Sequence, residues 1–362
     1  MKRTRKTSNS AGIVGKGCND LGRRRILSSL VGGAMTAALP FGQSHARKTS
    51  LKTCLYADAG LAAYGFPAGH PPGMDRQGAF LREARARSLV ELVRIMASRP
   101  ATASEISRFH TPAYVAFVAG AESSGVEMLD AGDTPVFPGI YPASANVVGA
   151  ALDGLSRVMS GETPRSFQPI GGLHHARRER AAGFCVFNDL GVVIETLRSH
   201  YGVKRVAYVD IDVHHGDGVF YPFEEDPDLI FADIHQDGRS LFPGTGHESE
   251  TGRGAARGTK LNIALKAGAG DADFLQAWPR VEALLVRFRP GFILFLCGAD
   301  GLRGDPLAQL LYSAEVHRHA ARRLRALADQ FCGGRIMAFG GGGYDRTNLS
   351  QAWSAVLREF AS

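Results

Sequence analysis

The chain has 362 residues, of which 44% are hydrophobic and 21% charged, with a formal net charge of +7. That length and balance exclude a disordered or fibrous chain and suit one large globular domain. The charge first suggests an anionic partner, but residues 1–46 hold eight Lys and Arg against Asp20 alone, so the remainder is formally neutral and no nucleic-acid partner is expected.

Within that basic leader, Gly22-Arg-Arg-Arg-Ile-Leu-Ser28 resembles a twin-arginine export signal. A moderately apolar stretch from Ile26 to Gly42 follows, then a small-x-Ala pattern at Ser44-His-Ala46. The apolar run is too short and too rich in Gly and Ser for a stable membrane span. Residues 1–46 therefore read as a signal for export to the periplasm, and 47–362 as the folded domain. The alternative is a disordered basic tail on a cytoplasmic protein.

Lys52 to Ala57 predicts a first strand, and Gly78 to Ala97 a helix closed by Pro100. Between them, Gly69-His-Pro-Pro-Gly-Met-Asp-Arg76 is a loop, with His70 read as a turn residue. Helices are predicted over Pro112 to Ala121 and Ala143 to Met159, the second with a core stripe of Val147, Val148, Ala151, Leu155 and Val158. From Phe167 onward strands and helices alternate, with a helix over Asp189 to His200 and strands over Val206 to Ile211 and Leu229 to Ile234. Further strands at Lys260 to Ala264, Phe292 to Cys297 and Arg335 to Phe339 alternate with helices near Ala272 to Phe288, Ser313 to Gln330 and Asn348 to Phe360. Such alternation predicts an α/β fold with at least six parallel strands covered by helices. Cys54, Cys185, Cys297 and Cys332 lie in or beside apolar strands or motifs without Cys-x-x-Cys spacing, and read as buried reduced thiols.

The chemistry gathers where strands stop. Val206-Ala-Tyr-Val-Asp-Ile-Asp-Val-His-His-Gly-Asp-Gly218 turns from an apolar run into carboxylates, imidazoles and glycines. With a side-chain period of two, Asp210, Asp212 and His214 share one face while Ile211 and Val213 point to the other. Alternate residues lie about 6.6 Å apart along a strand, so Asp212 and His214 can hold one ion between them while Asp210 falls a step behind. The bland alternative is strand-end caps and a surface turn, but three ionisable groups on one face of an apolar strand repel or desolvate unless a cation holds them.

Gly291-Phe-Ile-Leu-Phe-Leu-Cys-Gly-Ala-Asp300 is a second apolar strand ending in a carboxylate, which makes Asp300 a candidate third ligand. Gly171-Gly-Leu-His-His-Ala176 sets His174 and His175 in a glycine-softened loop, and Ile336-Met-Ala-Phe-Gly-Gly-Gly-Gly-Tyr344 runs a strand into four glycines and Tyr344. Ligands of open parallel sheets bind beyond the carboxyl ends of the strands, so these four stretches can converge. Two carboxylates and one imidazole leave a divalent ion with open positions, the arrangement of a catalytic rather than a structural site. Oxygen-weighted donors also admit Fe(II) or Mn(II). An ion there polarises an amide carbonyl and acidifies a water, and the His pair supplies proton transfer to the leaving nitrogen.

Six motifs then fall in a telling order: Gly-Gly-Leu-His174-His175-Ala, Gly183-Phe184-Cys-Val-Phe-Asn-Asp189, Asp210-Ile-Asp212-Val-His214-His215-Gly-Asp217-Gly, Phe242-Pro-Gly-Thr-Gly, Gly-Ala-Asp300 and Gly-Gly-Gly-Tyr344. This ordered set resembles that of the histone deacetylase family, which includes bacterial acetoin-utilisation-type and acetylpolyamine deacetylases, and the resemblance runs from about Cys54 to the C-terminus. It implies a single domain built on a mostly parallel eight-stranded, arginase-like sheet. It implies zinc, with Fe(II) as the other candidate, on Asp212, His214 and Asp300, and hydrolysis of the acetamide of acetylated lysine, polyamine or another small acetylated amine.

By the same resemblance Asp210 orients His174 and Asp217 orients His175, with His175 the working acid/base and Tyr344 the donor to the developing oxyanion. Asp133 becomes a rim anchor for the substrate, although an Asp before Thr-Pro also starts a turn. Gly183, Phe184, Phe242 and Leu307 become the wall of a narrow apolar tube, although core packing alone would also place the two Phe residues. Arg76 becomes the lining of an internal channel. Asp210, Asp212, His214 and Asp233 correspond to a potassium site. There are two departures: Gly73-Met74 stands where relatives usually carry a proline, and Asp233 where they carry Ser or Thr. A carboxylate at 233 predicts an altered dependence on monovalent salt. A two-metal, ureohydrolase-like enzyme and a non-catalytic binding protein are the competing classes.

Overall fold

The strands run β1 (Thr53–Tyr56), β2 (Arg94–Met96), β3 (Arg165–Gln168), β4 (Val206–Asp210), β5 (Leu229–Gln236), β6 (Lys260–Leu265), β7 (Phe292–Leu296) and β8 (Ile336–Phe339). They come from a computed structural model in which residues 51–67 and 69–362 are described, so the basic leader and Cys18 lie outside the described residues. The helices are α1 (Ala59–Ala62), α2 (Arg76–Ala86), α3 (Ala103–Ile106), α4 (Pro112–Ala121), α5 (Ile140–Ser160), α6 (Asp189–Tyr201), α7 (Asp217–Phe220), α8 (Asp271–Phe288), α9 (Ala314–Phe331) and α10 (Arg346–Ala361). No helix among the described residues is long and apolar enough to cross a membrane.

All eight strands are parallel and form one sheet in the order β2-β1-β3-β8-β7-β4-β5-β6. β1, β3, β4, β5, β7 and β8 are buried along their whole length, and β4, β7 and β8 accordingly read as near-continuous apolar runs rather than alternating ones. Helices cover the sheet through stripes of the kind that Val147, Val148, Ala151, Leu155 and Val158 present on α5, all of them buried. The four described cysteines are free and buried, as expected.

One arrangement positions the site. β3, β8, β7 and β4 are consecutive neighbours in the sheet, and each runs directly into one of the chemistry-bearing loops. Parallel strands share a direction, so all four loops emerge at the same edge. The His pair, the glycine run with Tyr344, Asp300 and the Asp210-to-Asp217 segment thus meet although up to 170 positions separate them, from His174 to Tyr344.

Two expectations need correction. The helix expected to Ala97 ends at Ala86, and Arg94–Met96 forms edge strand β2 against β1. Ser88 takes a positive φ of 52°, which stops the helix, and Leu89 and Val93 bury themselves against the core. Pairing with β1 therefore outweighs the helical propensity of the Arg-rich run before it. Second, β4 ends at Asp210, so Asp212 and His214 are not successive same-face positions of a strand. They belong to the turn that follows it.

Candidate active site

That turn is folded by its own carboxylates. Asp210 Oδ1 accepts the Asp212 N–H at 2.8 Å, and Asp212 Oδ1 accepts the His214 N–H at 3.0 Å. The chain thereby coils back so that Asp212 and His214 project together, which the period-two reading reached by the wrong geometry. Asp300 Oδ1 accepts the Val213 N–H at 3.1 Å, tying the end of β7 to the same turn.

Asp212, His214 and Asp300 are all buried, and one ligand atom from each lies within 4.8 Å of the others. His214 Nδ1 sits 3.1 Å from Asp212 Oδ1 and 3.2 Å from Asp300 Oδ2. Asp300 Oδ2 accepts no well-formed hydrogen bond, a buried carboxylate oxygen without a donor. Burial and the Asp212 charge push the Asp300 carboxyl up to about 6. Burial pulls His214 down, but the Asp212 and Asp300 carboxylates overcome it and raise the imidazole to about 10. The cluster draws a proton into its centre because it lacks positive charge, and its oxygen, oxygen and nitrogen donors suit a divalent ion.

Close approach of the glycine run makes the cluster possible. A Cβ on Gly342 would lie 1.9 Å from Asp300 Oδ2, and one on Gly298 would lie 2.0 Å from Asp212 Oδ2. Gly342 donates its N–H to Asp212 Oδ2 at 2.7 Å.

The two histidines of the β3 loop have distinct partners. His174 Nδ1 is 2.8 Å from Asp210 Oδ2, which also accepts the Tyr208 hydroxyl. His175 Nδ1 is 2.7 Å from Asp217 Oδ1, and Arg177 Nη2 donates to Asp217 Oδ2 at 2.8 Å. Burial, then Asp233 and Asp212, push Asp210 well above the carboxylate range. Burial acts the same way on Asp217, but His175 and Arg177 prevail and hold it at about 2. Burial and the neighbouring His174 lower His175 to about 4, so its imidazole rests neutral. His175 therefore faces a firmly ionised carboxylate and His174 a crowded one.

The expected wall residues come together. Asp133, Gly183, Phe184, Phe242 and Leu307 line one cavity of about 210 Å³ that also touches His175, His214 and Tyr344. Gly183 and Phe184 both take positive φ, 55° and 66°, and a Cβ on Gly183 would come within 2.6 Å of His175 Cδ2. The Phe184 and Tyr344 rings meet edge to face at 6.1 Å. At the mouth, Asp130 Oδ1 accepts the N–H groups of Gly132, Asp133 and Thr134, whereas burial and the Asp130 carboxylate push Asp133 up to about 6. Arg76 lies behind, donating to the carbonyls of Gly341 at 2.6 Å and Gly343 at 3.0 Å, and lines a second, smaller cavity of about 40 Å³ that reaches Asp212.

Asp233 lies beside the cluster, fully buried. Its Oδ2 accepts the Gly216 N–H at 2.8 Å and its Oδ1 faces His235 Nδ1 at 2.8 Å. His235 Nε2 faces the Gly246 carbonyl at 2.9 Å, so both ring nitrogens meet acceptors. Burial lowers His235, but the Asp233 carboxylate outweighs it and raises the imidazole. Asp233 is thus engaged on both oxygens by groups of the chain itself. His215 Nδ1 lies 2.8 Å from Thr245 Oγ1, outside the Asp212, His214 and Asp300 cluster.

Sequence reasoning missed three carboxylate or guanidinium supports. Arg177 steadies Asp217, Asp189 accepts the Gly172 and Leu173 N–H groups at 2.8 Å each, and Asp305 accepts the Tyr344 N–H at 2.8 Å and the Leu307 N–H at 3.1 Å. Asp189 ends a motif already singled out and Arg177 stands two positions after the His pair, so both carried a local signal. Asp305 carried none.

The profile of the histone deacetylase domain matches residues 70–360. The chain belongs to the histone deacetylase family. It is 39% identical over 274 residues to the acetoin utilization protein AcuC of Bacillus subtilis (strain 168), covering 73% of this chain and 70% of that one. It is 32% identical over 316 residues to the histone deacetylase RPD3 of Saccharomyces cerevisiae, covering 83% of this chain and 70% of that one. The solved HDA15 HD domain superposes with a TM-score of 0.78 at 26% identity, covering 86% of this chain and 88% of that one. As in that family, the sheet is a single eight-stranded parallel one of the arginase/deacetylase type.

The donor set of Asp212, His214 and Asp300 predicts that a divalent ion such as zinc, added to chelator-treated protein, raises unfolding stability by about 2.7 kcal/mol at a free concentration a hundred times Kd. Asp300→Asn should stabilise the metal-free protein, by removing a buried like charge, yet abolish the zinc effect. Denaturant curves with and without zinc check both, and an unchanged zinc effect in Asp300→Asn would count against the site.

Proposed function

We propose that this family member is a zinc-dependent deacetylase that hydrolyses the acetamide of an acetylated lysine, polyamine or other small acetylated amine. The observation that carries the reading is one apolar-walled cavity that touches His214 of the ligand cluster, His175 and Tyr344 together. An acetylated amine is uncharged and enters such walls at little desolvation cost, whereas the free ammonium product is driven back to water.

Asp212, His214 and Asp300 would hold the ion, which supplies Lewis-acid polarisation of the amide carbonyl and acidification of water. The chain's own groups do the rest. His175, with its Nδ1–H held by ionised Asp217, presents the other nitrogen as a base, takes the proton of the attacking water and returns it to the leaving nitrogen. An ionised Asp217 stabilises the imidazolium formed in between, as Arg177 keeps that carboxylate charged. Burial, Asp300 and Asp212 keep the Tyr344 phenol protonated far above neutral pH, so it remains a donor for the developing oxyanion. Asp305 fixes where that donor stands. Arg76 borders the rear cavity through which a small anion such as acetate would leave.

With zinc-loaded protein and a fluorogenic acetyl-lysine substrate, Tyr344→Phe is expected to lower kcat by about 10²- to 10³-fold with little change in KM. His175→Ala should lower kcat by about 10²-fold or more. Turnover that survives both substitutions would reject the mechanism. We also propose export of the folded enzyme through the twin-arginine leader, the cytoplasm being the alternative. Cell fractionation is expected to find the activity with periplasmic markers, and to find it in the cytoplasm once Arg23, Arg24 and Arg25 are replaced by Lys. A wild-type enzyme that stays in the cytoplasm would dismiss export.

A further inference from the structure

Beside the tube mouth lies another cavity, of about 560 Å³, that shares Asp133, Gly183 and Phe242 with the tube. Whatever is attached to the outer end of a bound arm therefore enters it. Its charged lining includes Asp130 and Asp133 and the guanidinium groups of Arg177 and Arg180.

These four groups are not equivalent. Arg177 is committed to Asp217 at 2.8 Å and lies over the Tyr221 ring, 4.9 Å from its centroid. Asp130 is committed to its own turn, where it accepts three backbone N–H groups. Arg178, between the two lining arginines, is bound to Glu195 at 2.8 Å and to the Phe109 carbonyl at 3.0 Å. Arg180 is exposed and, among the described residues, has no acidic side chain within ion-pair distance. Its main chain is nonetheless fixed, because its carbonyl accepts the Arg177 N–H at 2.9 Å in a short bridge. The groove thus carries one uncommitted cation on the same lining as Asp133, whose carboxylate accepts the Thr134 hydroxyl at 3.2 Å.

We propose that this groove receives a carboxylate carried by the substrate at the base of its acylated arm, with Arg180 as the partner. The preferred substrate class is then a free N-acylated basic amino acid. The planar guanidinium fork matches a carboxylate with two parallel hydrogen bonds. The α-ammonium of the same amino acid meets Asp133 at the same mouth, so the zwitterion is matched charge for charge while the uncharged arm fills the tube. A polyamine brings a like charge to Arg180, and an internal peptide residue brings an amide where the carboxylate should be. The proposal rests on the deacetylase reading and narrows it to one substrate class.

The test compares kcat/KM of the zinc-loaded full chain on free Nε-acetyl-lysine, its α-carboxamide and N-acetylputrescine. The free acid is expected to exceed the carboxamide by about tenfold, the size of a charge-assisted hydrogen bond in a partly sheltered groove, and chiefly through KM. N-acetylputrescine should fall below both. Arg180→Gln should bring the acid-to-carboxamide ratio close to one, and Arg180→Lys should keep part of it. Equal rates on acid and carboxamide in the wild type, or a ratio that survives Arg180→Gln, overturn the proposal and leave the deacetylase reading standing. Absence of hydrolysis on every acetamide removes both.

Discussion

Four carboxylates, those of Asp210, Asp212, Asp233 and Asp300, are buried together at the carboxyl ends of neighbouring strands, and the site is organised by the need to neutralise them. Asp210 and Asp233 stand in register on β4 and β5. Uncompensated, such a group of charges in a dry interior costs several kcal/mol per ion. The chain answers differently at each one. Asp233 has an imidazole of its own, and Asp210 shares hydrogen bonds with Tyr208, His174 and the Asp212 N–H. Asp212 and Asp300 are left with His214, one nitrogen between two oxygens, and an unsatisfied carboxylate oxygen. The unsatisfied oxygen lies in the Asp212, His214 and Asp300 cluster, whose donor set suits a divalent ion.

Much of the catalytic arrangement follows from that one deficit. The glycines after β7 and β8 are there because any side chain would enter the space of Asp212 and Asp300. The same close approach sets Tyr344 over the cluster, at the end of a backbone that Asp305 and Arg76 hold by its N–H and carbonyl groups. The His pair completes the opposite wall, its two carboxylate partners made unequal by Arg177 on one side and by Asp233 on the other. Position, acidity and access are therefore coupled through hydrogen bonds to the backbone of four adjacent strand ends.

The part of this that could be read from the chain alone was the part written in contiguous motifs. Val206 to Gly218, the His174-His175 loop and the glycine run before Tyr344 each combine a buried strand with an abrupt change to polar chemistry, so both the parallel sheet and the buried Asp212, His214 and Asp300 cluster were legible. Edge strand β2 was not, since its three residues follow an Arg-rich segment whose local preference is helical and only pairing with β1 overrides it. The way Asp212 and His214 converge was also hidden, because a strand pattern cannot show that β4 stops at Asp210 and that carboxylate-to-N–H bonds coil the next residues. Asp305 left no trace in the sequence: an isolated Asp in a loop declares itself only when its backbone partners are brought to it.

The central claim is that a single divalent ion sits between Asp212, His214 and Asp300. Anomalous diffraction at the zinc edge, from crystals of the zinc-loaded protein, tests it most directly. One strong peak is predicted among the three donor groups, about 2 Å from each donor atom. An empty map at that position, or an ion held by His174 and His175 instead, would contradict the account.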